Sequence, residues 1–167
     1  MDRTSITLVN FPRSGTFYVQ DLVADVFPNI ELQWTHNVYG FKLPNPLTIV
    51  RKPNQSISSW IEYTKTNRKT FDERVANVIK WYERFMNQAL NSKTTFFCFD
   101  DFTNNPKILV DYFAKKTNQK NVEFEIKEYD KNANSDRYDV IDDLEPRLKK
   151  SFNLYNEAKE RYLEESL

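Results

Sequence analysis

The sequence of 167 residues predicts a single α/β domain of three layers, in which helices flank a mostly parallel central sheet. Three short runs rich in β-branched and aromatic residues indicate strands, and a segment with helical periodicity follows each of them. With 40% hydrophobic and 29% charged residues, the composition is typical of a globular protein that buries a substantial core. No internal repeat or linker divides the chain, so we expect one domain over residues 1–167.

Four strands are predicted from the apolar runs. The three stronger signals cover Ile6–Asn10, Leu47–Arg51 and Thr94–Phe99, and a weaker one covers Ile30–Thr35. The order of strands and helices along the chain places these strands side by side in one parallel sheet.

Helical spacing of apolar residues predicts five helices, which cover residues 16–27, 54–66, 71–90, 106–117 and about 144–163. Thr70 and Glu73 form a capping box at the start of the third helix. Asn105 is a plausible cap for the fourth, with Pro106 at the first helical position. Residues 127–140 carry no periodic pattern and predict an exposed loop.

Charge and cysteine content exclude several classes of protein. Lys plus Arg and Asp plus Glu number 24 each, so no basic excess indicates a nucleic acid or membrane partner. Cys98 is the one cysteine, which excludes an intrachain disulfide, and its apolar surroundings predict a buried structural thiol. Neither a signal peptide nor an apolar run of roughly 20 residues is visible. We therefore expect a soluble, cytoplasmic protein.

The stretch "ITLVNFPRSGTFYVQDL", residues 6–22, runs from a strand through a turn into a helix. The turn holds Gly15, one of only two glycines in the chain, beside Arg13, Ser14 and Thr16. The unpaired N–H groups and the dipole of a helix N-terminus attract anions, and an arginine adds a forked positive charge. The Walker A pattern is absent, because no lysine follows Gly15. From this loop alone, a phosphate site and an ordinary turn remain equally plausible.

A second stretch, "LTIVRKPNQSISSW", also runs from strand to helix, and together the two stretches resemble the sulfotransferase family. Its phosphosulfate loop has the pattern P-[KR]-S-G-T-T-W, and residues 12–18 read PRSGTFY. Its 3′-phosphate motif has the pattern R-[ND]-P-x-[DE]-x-x-x-S, and residues 51–59 read RKPNQSISS. The pair Thr35-His36 and the segment "FFCFDDFTNNPKILVDYFAKKTN" match further family features. The resemblance covers roughly residues 6–117.

The resemblance implies a P-loop NTPase-like sulfotransferase fold, with 3′-phosphoadenosine 5′-phosphosulfate (PAPS) as donor and 3′-phosphoadenosine 5′-phosphate (PAP) as product. Backbone amides of residues 14–17, from Ser14 to Phe17, would hold the 5′-phosphosulfate, and Arg13 would stabilise charge on the bridging oxygen. Arg51 and Ser59 would hold the 3′-phosphate. No metal is implied.

His36, the only histidine, would be the general base within the family pattern, and Glu31 is the alternative carboxylate. Trp34, Tyr39 and Phe41 are candidates for an acceptor pocket, although core packing explains aromatic residues equally well. Asp100 and Asp101 are expected to organise the end of the sheet.

The sequence also departs from the family pattern. Phe17 stands where the family has a second threonine, Lys52 replaces Asn or Asp, and Gln55 replaces the acidic residue. The two phosphate motifs lie close together in the chain, which leaves little chain to enclose an acceptor. The pocket is then either open or completed by a second subunit in a homo-oligomer.

Two functions remain open. The first is transfer of a sulfuryl group to a hydroxyl or amine of a small-molecule, sugar or peptide acceptor. The alternative is a nucleotide- or phosphate-binding P-loop-like protein, such as a small kinase or a non-catalytic homologue.

Overall fold

A computed structural model of the chain describes residues 3–64, 70–120, 122–125 and 146–166. The strands are β1 (Thr4–Val9), β2 (Ile30–Thr35), β3 (Pro46–Val50) and β4 (Thr95–Cys98). The helices are α1 (Thr16–Val26), α2 (Pro53–Tyr63), α3 (Phe71–Leu90), α4 (Phe99–Asn104), α5 (Lys107–Thr117) and α6 (Lys149–Ser166). A short 3-10 helix, Val38–Lys42, lies between β2 and β3.

The four strands form one parallel sheet in the order β2-β1-β3-β4. The β1–β2 pairing runs from Thr4 opposite Ile30 to Val9 opposite Thr35, and β3 pairs with β4 along its last four residues. All strands therefore end at the same edge of the sheet. This arrangement confirms the predicted α/β class with a parallel central sheet.

The helices that cover the sheet form two groups. Within each group, the helices contact one another through aromatic rings or an ion pair. In the first group, Phe27 at the end of α1 packs on Phe113 of α5, and Tyr18 of α1 stacks on Phe102 of α4. In the second, α3 contacts α2 through aromatic rings and α6 through a Glu83–Lys150 ion pair. The strands β1, β3 and β4 are buried along most of their length, as is typical of parallel sheets, whereas the edge strand β2 is largely exposed.

The predicted strands and the longest helix are confirmed closely. The weaker strand signal at Ile30–Thr35 corresponds to β2, an edge strand of the sheet. The α3 capping box is present: the Thr70 hydroxyl accepts from the Glu73 amide, and the Glu73 carboxylate accepts from the Thr70 amide. Cys98 is buried, as predicted.

The main difference from prediction lies after β4. The strand predicted to reach Phe99 ends at Cys98, and Phe99 begins the unpredicted helix α4. The aromatic run "FFCF" favours a strand locally, but Asp100 and Asp101 lie in the first helical turn, where carboxylates interact favourably with the helix dipole. The next helix, α5, begins at Lys107, with Pro106 in the cap position that was predicted for Asn105.

Three other predictions fall partly or wholly outside the described residues. Residues 65–66 of the predicted 54–66 helix and residues 144–145 of the last helix are not described, and neither is the loop predicted at 127–140. The last helix begins after a 3-10 turn at residues 146–148 and continues to Ser166, beyond its predicted end. In the described part of the chain, no helix combines the length and apolar character required to span a membrane.

Candidate functional site

A cavity of about 460 Å³ opens at the edge of the sheet where the parallel strands end. Its walls are the loop after β1 with the first turn of α1, and side chains that follow or belong to three other elements. These are Trp34 and His36 from β2 and its end, Arg51 after β3, and Trp60 and Tyr63 from α2. Ligands of open parallel sheets bind at this position, outside the carboxyl ends of the strands.

Gly15 is required by the geometry of the loop that enters α1. Its φ of 82° lies in the left-handed region, and it caps the helix with its carbonyl accepting from the Val19 amide. A Cβ at this position would lie 3.0 Å from a Phe99 ring atom and 3.1 Å from one of Phe102. Both the backbone conformation and the close packing of α4 therefore select glycine here.

Arg13 also has a left-handed backbone, with φ of 66°. Non-glycine residues rarely adopt this conformation, and where they do the cost is compensated by surrounding contacts. Here the surrounding contacts come from the junction between β3 and α2 and from α2 itself. The Arg13 Nε donates to the Ser59 hydroxyl at 3.0 Å, and the Arg13 carbonyl accepts from Arg51 Nη1 at 2.6 Å.

Arg51 is only 7% exposed although it carries a permanent charge. Its guanidinium lies over the Phe99 ring at 4.3 Å, and its backbone carbonyl accepts from the Tyr82 hydroxyl at 3.0 Å. A buried guanidinium that lines a cavity is a fixed positive charge, because few of its rotamers remain available. The structure thus brings the predicted residues Arg13, Arg51 and Ser59 into one hydrogen-bonded group.

The other residues predicted for the loop occupy different positions relative to the cavity. Thr16 and Phe17 line it, whereas the Ser14 side chain is buried and does not. Ser59 is also buried and meets the cavity only through its bond to Arg13. A ligand in the cavity would therefore contact Ser59 only if the Arg13 side chain moved away, or if the Ser59 hydroxyl donated to the ligand while it still accepted from Arg13.

His36 lines the cavity, and its Nδ1 lies 2.7 Å from the Asn10 carbonyl oxygen. The Trp34 ring lies beside it, with centroids 5.2 Å apart. Glu31, the alternative base, is exposed on β2 and lies next to Gln33, outside the cavity lining. The geometry favours His36 over Glu31 for proton transfer within this cavity.

An exposed aromatic rim surrounds the cavity mouth. Phe17 is 70% exposed, Tyr63 64% and Trp34 43%, although all three are large apolar side chains. Phe17 and Trp34 meet edge to face at 6.2 Å, and the Arg13 guanidinium lies 5.3 Å from the Tyr63 ring centre. Exposed aromatic residues that share one opening provide a surface for an apolar or ring-shaped ligand.

The remaining predicted pocket residues lie outside this lining. Tyr39 is exposed on the 3-10 helix, and Phe41 packs against Phe85 of α3. Asp100 forms a 3.6 Å ion pair with Lys52, which joins the start of α4 to that of α2. This ion pair is consistent with an organising role for the acidic pair at the end of the sheet.

Three residues at the site were not predicted from the sequence: Trp60, Tyr63 and Asn10. Trp60 and Tyr63 are three residues apart on α2, so they share one helix face, and this spacing was the available signal. Asn10 gave only a weak signal, a polar residue at the end of an apolar strand. Within the described ranges, no group of three or more His, Cys, Asp or Glu residues has a geometry that would hold a metal ion.

Burial shifts the ionisation of one residue of the cavity lining. It raises the pKa of the Tyr18 phenol above its usual value, so this hydroxyl stays protonated at neutral pH. Arg13 and Arg51 contribute permanent positive charge to the lining, which makes the cavity suited to an anion.

Comparison with known proteins adds no assignment. The sequence matches no family model, and no curated protein is significantly similar to it. The function is therefore inferred from the residues and geometry of the cavity.

Proposed function

We propose that the protein is a sulfotransferase of P-loop NTPase-like fold that moves a sulfuryl group from PAPS to a hydroxyl or amine. The observation that carries the proposal is the contact between the two strand-to-helix junctions through Arg13, Ser59 and Arg51. PAPS carries negative charge at its 5′-phosphosulfate and at its 3′-phosphate. Two arginines at adjacent strand-to-helix junctions supply positive charge for a ligand that carries two anionic groups.

The loop after β1 would hold the 5′-phosphosulfate. The first N–H groups of α1 have no partner inside the helix, so the backbone of Ser14, Gly15, Thr16 and Phe17 would donate to the phosphosulfate oxygens. Arg13 would stabilise the charge that grows on the bridging oxygen. Arg51 would supply the positive charge for the 3′-phosphate. The Ser59 hydroxyl, which accepts from Arg13, would donate its own hydrogen to that phosphate.

The transfer step would be a displacement at sulfur. The acceptor oxygen or nitrogen forms a bond to sulfur, while the bond from sulfur to the bridging phosphate oxygen breaks. The electron pair of that broken bond leaves with PAP, and the acceptor proton passes to His36. The aromatic rim of Phe17, Trp34 and Tyr63 would hold the acceptor at the mouth of the cavity.

Calorimetry with PAP and ADP tests the nucleotide site. The two ligands carry the same number of phosphates, but only PAP has one at the 3′ position, so we expect PAP to bind more tightly. Equal affinity, or a preference for ATP with magnesium, would contradict the proposal and favour the kinase-like alternative.

Ser59→Ala provides a sharper version of this test. It should weaken PAP binding by roughly 1.5–3 kcal/mol, the range for hydrogen bonds to charged groups. Ser58→Ala is the matched control, because Ser58 is equally buried but donates to the Asn54 carbonyl. The ADP affinity should change little in both variants. An equal loss of PAP affinity in the two variants would show that α2 stability, and not the 3′-phosphate, is affected.

A further inference from the structure

Asn10, directly after β1, connects three elements around the cavity although it is only 1% exposed. Its backbone N–H donates to the Thr35 carbonyl at 3.1 Å. Its side-chain Nδ2 donates to the Thr16 hydroxyl at 3.3 Å, and its Oδ1 accepts from the Ile49 amide at 2.7 Å. These bonds attach Asn10 to the end of β2, to the first residue of α1 and to β3.

The remaining polar atom of Asn10 faces His36. The Asn10 carbonyl oxygen lies 2.7 Å from His36 Nδ1. A carbonyl oxygen can only accept, so Nδ1 must carry the hydrogen. In the neutral imidazole, Nε2 is then left with the lone pair and is the one ring nitrogen that can take a proton.

The side-chain bonds of Asn10 fix the direction of its carbonyl. A rotation of the peptide that removed the acceptor from His36 would also strain the contacts to Thr16 and Ile49. The Thr16 hydroxyl accepts from Asn10, so its own hydrogen is free to be donated to another group. Thr16 and His36 both line the cavity, and Asn10 therefore joins the anion-binding loop to the imidazole.

We propose that Asn10 is a positioning residue that holds His36 in the Nδ1–H tautomer and couples it to the start of α1. The contribution of this tautomer to catalysis rests on the proposed function, in which Nε2 takes the acceptor proton. When that proton arrives, the Nδ1–H continues to donate to the Asn10 carbonyl and stabilises the imidazolium. The tautomer itself does not depend on the proposed function.

NMR of the ligand-free chain labelled with ¹⁵N-histidine tests the tautomer. His36 is the only histidine, so a single pair of imidazole nitrogens is observed. At a pH where the ring is neutral, we expect a protonated, pyrrole-type Nδ1 and an unprotonated, pyridine-type Nε2. The reverse pattern, or two averaged signals, would overturn the proposal.

Two variants test the role of the Asn10 side chain. Asn10→Ala removes both side-chain bonds and should give averaged nitrogen signals. Thr16→Val removes only the acceptor for Nδ2, and the minor tautomer should rise roughly two- to tenfold, the range for losing one net hydrogen bond. Thr117→Val is the control, because its hydroxyl bonds within α5 and does not line the cavity.

The proposal would be wrong if Asn10→Ala kept the parent tautomer or if Thr16→Val matched Thr117→Val. If Asn10→Ala does not fold, Thr16→Val alone decides. Where an acceptor is known, Asn10→Ala should lower kcat and leave the acceptor KM nearly unchanged. If the NMR results agree but the parent binds no PAP, the positioning inference stands and the proposed function fails.

Discussion

At the scale of single residues, Arg51 combines its proposed role in binding with structural contacts. It is buried, it donates to the carbonyl of Arg13, and it lies over the Phe99 ring. Arg51→Ala should therefore weaken PAP binding and also lower the free energy of unfolding by about 1–3 kcal/mol, because the Arg13 carbonyl loses its partner. Urea unfolding without ligand and calorimetry with PAP measure the two effects.

Lys52→Ala is the control for Arg51, because Lys52 is the adjacent cation and is half-exposed. The free energy of unfolding of Lys52→Ala should differ from that of the parent by less than about 1 kcal/mol, as is typical of exposed ion pairs. Arg51→Lys keeps the charge but not the forked geometry, so it should recover only part of the loss. Unchanged stability and unchanged PAP affinity in Arg51→Ala would remove Arg51 from both roles.

Variants of His36 test the proposed transfer step independently of PAP binding. A general base acts only while the acceptor loses its proton, so removing it should leave PAP affinity nearly unchanged. His36→Ala and His36→Asn should both lower the transfer rate by about 10²–10⁴, the usual contribution of such a base. The measurement is transfer of labelled sulfuryl to an acceptor found by screening. A parent-like rate would make Glu31 the next candidate, and lost PAP affinity would place His36 in the nucleotide site.

At the scale of elements, α4 supports the loop before α1. Its Phe99 and Phe102 rings occupy the space beside Gly15, so the loop and α4 are packed as one unit. Gly15→Ala should cost about 1–2 kcal/mol for the left-handed backbone alone, with the crowding of both rings in addition. Denaturant unfolding measures the stability, and calorimetry with PAP measures the effect on the loop.

Gly40→Ala is a suitable comparison for Gly15→Ala. A Cβ at Gly40 would also crowd its neighbours, Thr35 and Val9, but Gly40 lies outside the cavity lining. Both variants should therefore be less stable than the parent, and only Gly15→Ala should lose PAP affinity. If Gly15→Ala binds PAP like the parent, the loop does not hold the phosphosulfate.

The elements also show how far the sequence predicts this structure. Apolar runs and helical periodicity predicted β1, β2, β3 and α3, because each depends on a pattern within a few residues. The helix α4 was missed because its first residue continues an aromatic run, and the packing of its Phe99 and Phe102 rings beside Gly15 is not visible in the local sequence. The contacts of Asn10 were unpredictable for a similar reason: their partners lie 6, 26 and 39 residues away in the sequence.

At the scale of the whole molecule, the buried ionisable groups predict sensitivity to alkaline pH. Burial raises the pKa of the Cys98 thiol from 9.0 to about 12, and it also raises the pKa values of the Tyr82, Tyr112, Tyr155 and Tyr162 phenols. In the unfolded chain these groups ionise at their ordinary values. Between pH 9 and 12 the unfolded state therefore releases protons that the folded state keeps. Stability that is fully present below pH 9 is lost as the pH rises through this range.

Urea unfolding of the parent at a series of pH values from 7 to 11 measures this loss. Cys98→Ala removes the thiol, which in the unfolded chain ionises at a lower pH than the four phenols do. The stability of this variant should therefore fall less steeply than that of the parent just above pH 9. At pH 7–8 the free energies of unfolding of the two chains should depend on pH in the same way, because the thiol is neutral in both the folded and the unfolded state. A parent whose stability stays constant to pH 11 would show that these groups reach water in the folded state. Because Cys98 ends β4 and Tyr82 contacts the Arg51 carbonyl, that result would also mean that the edge of the sheet next to the cavity is less closely packed than its contacts imply.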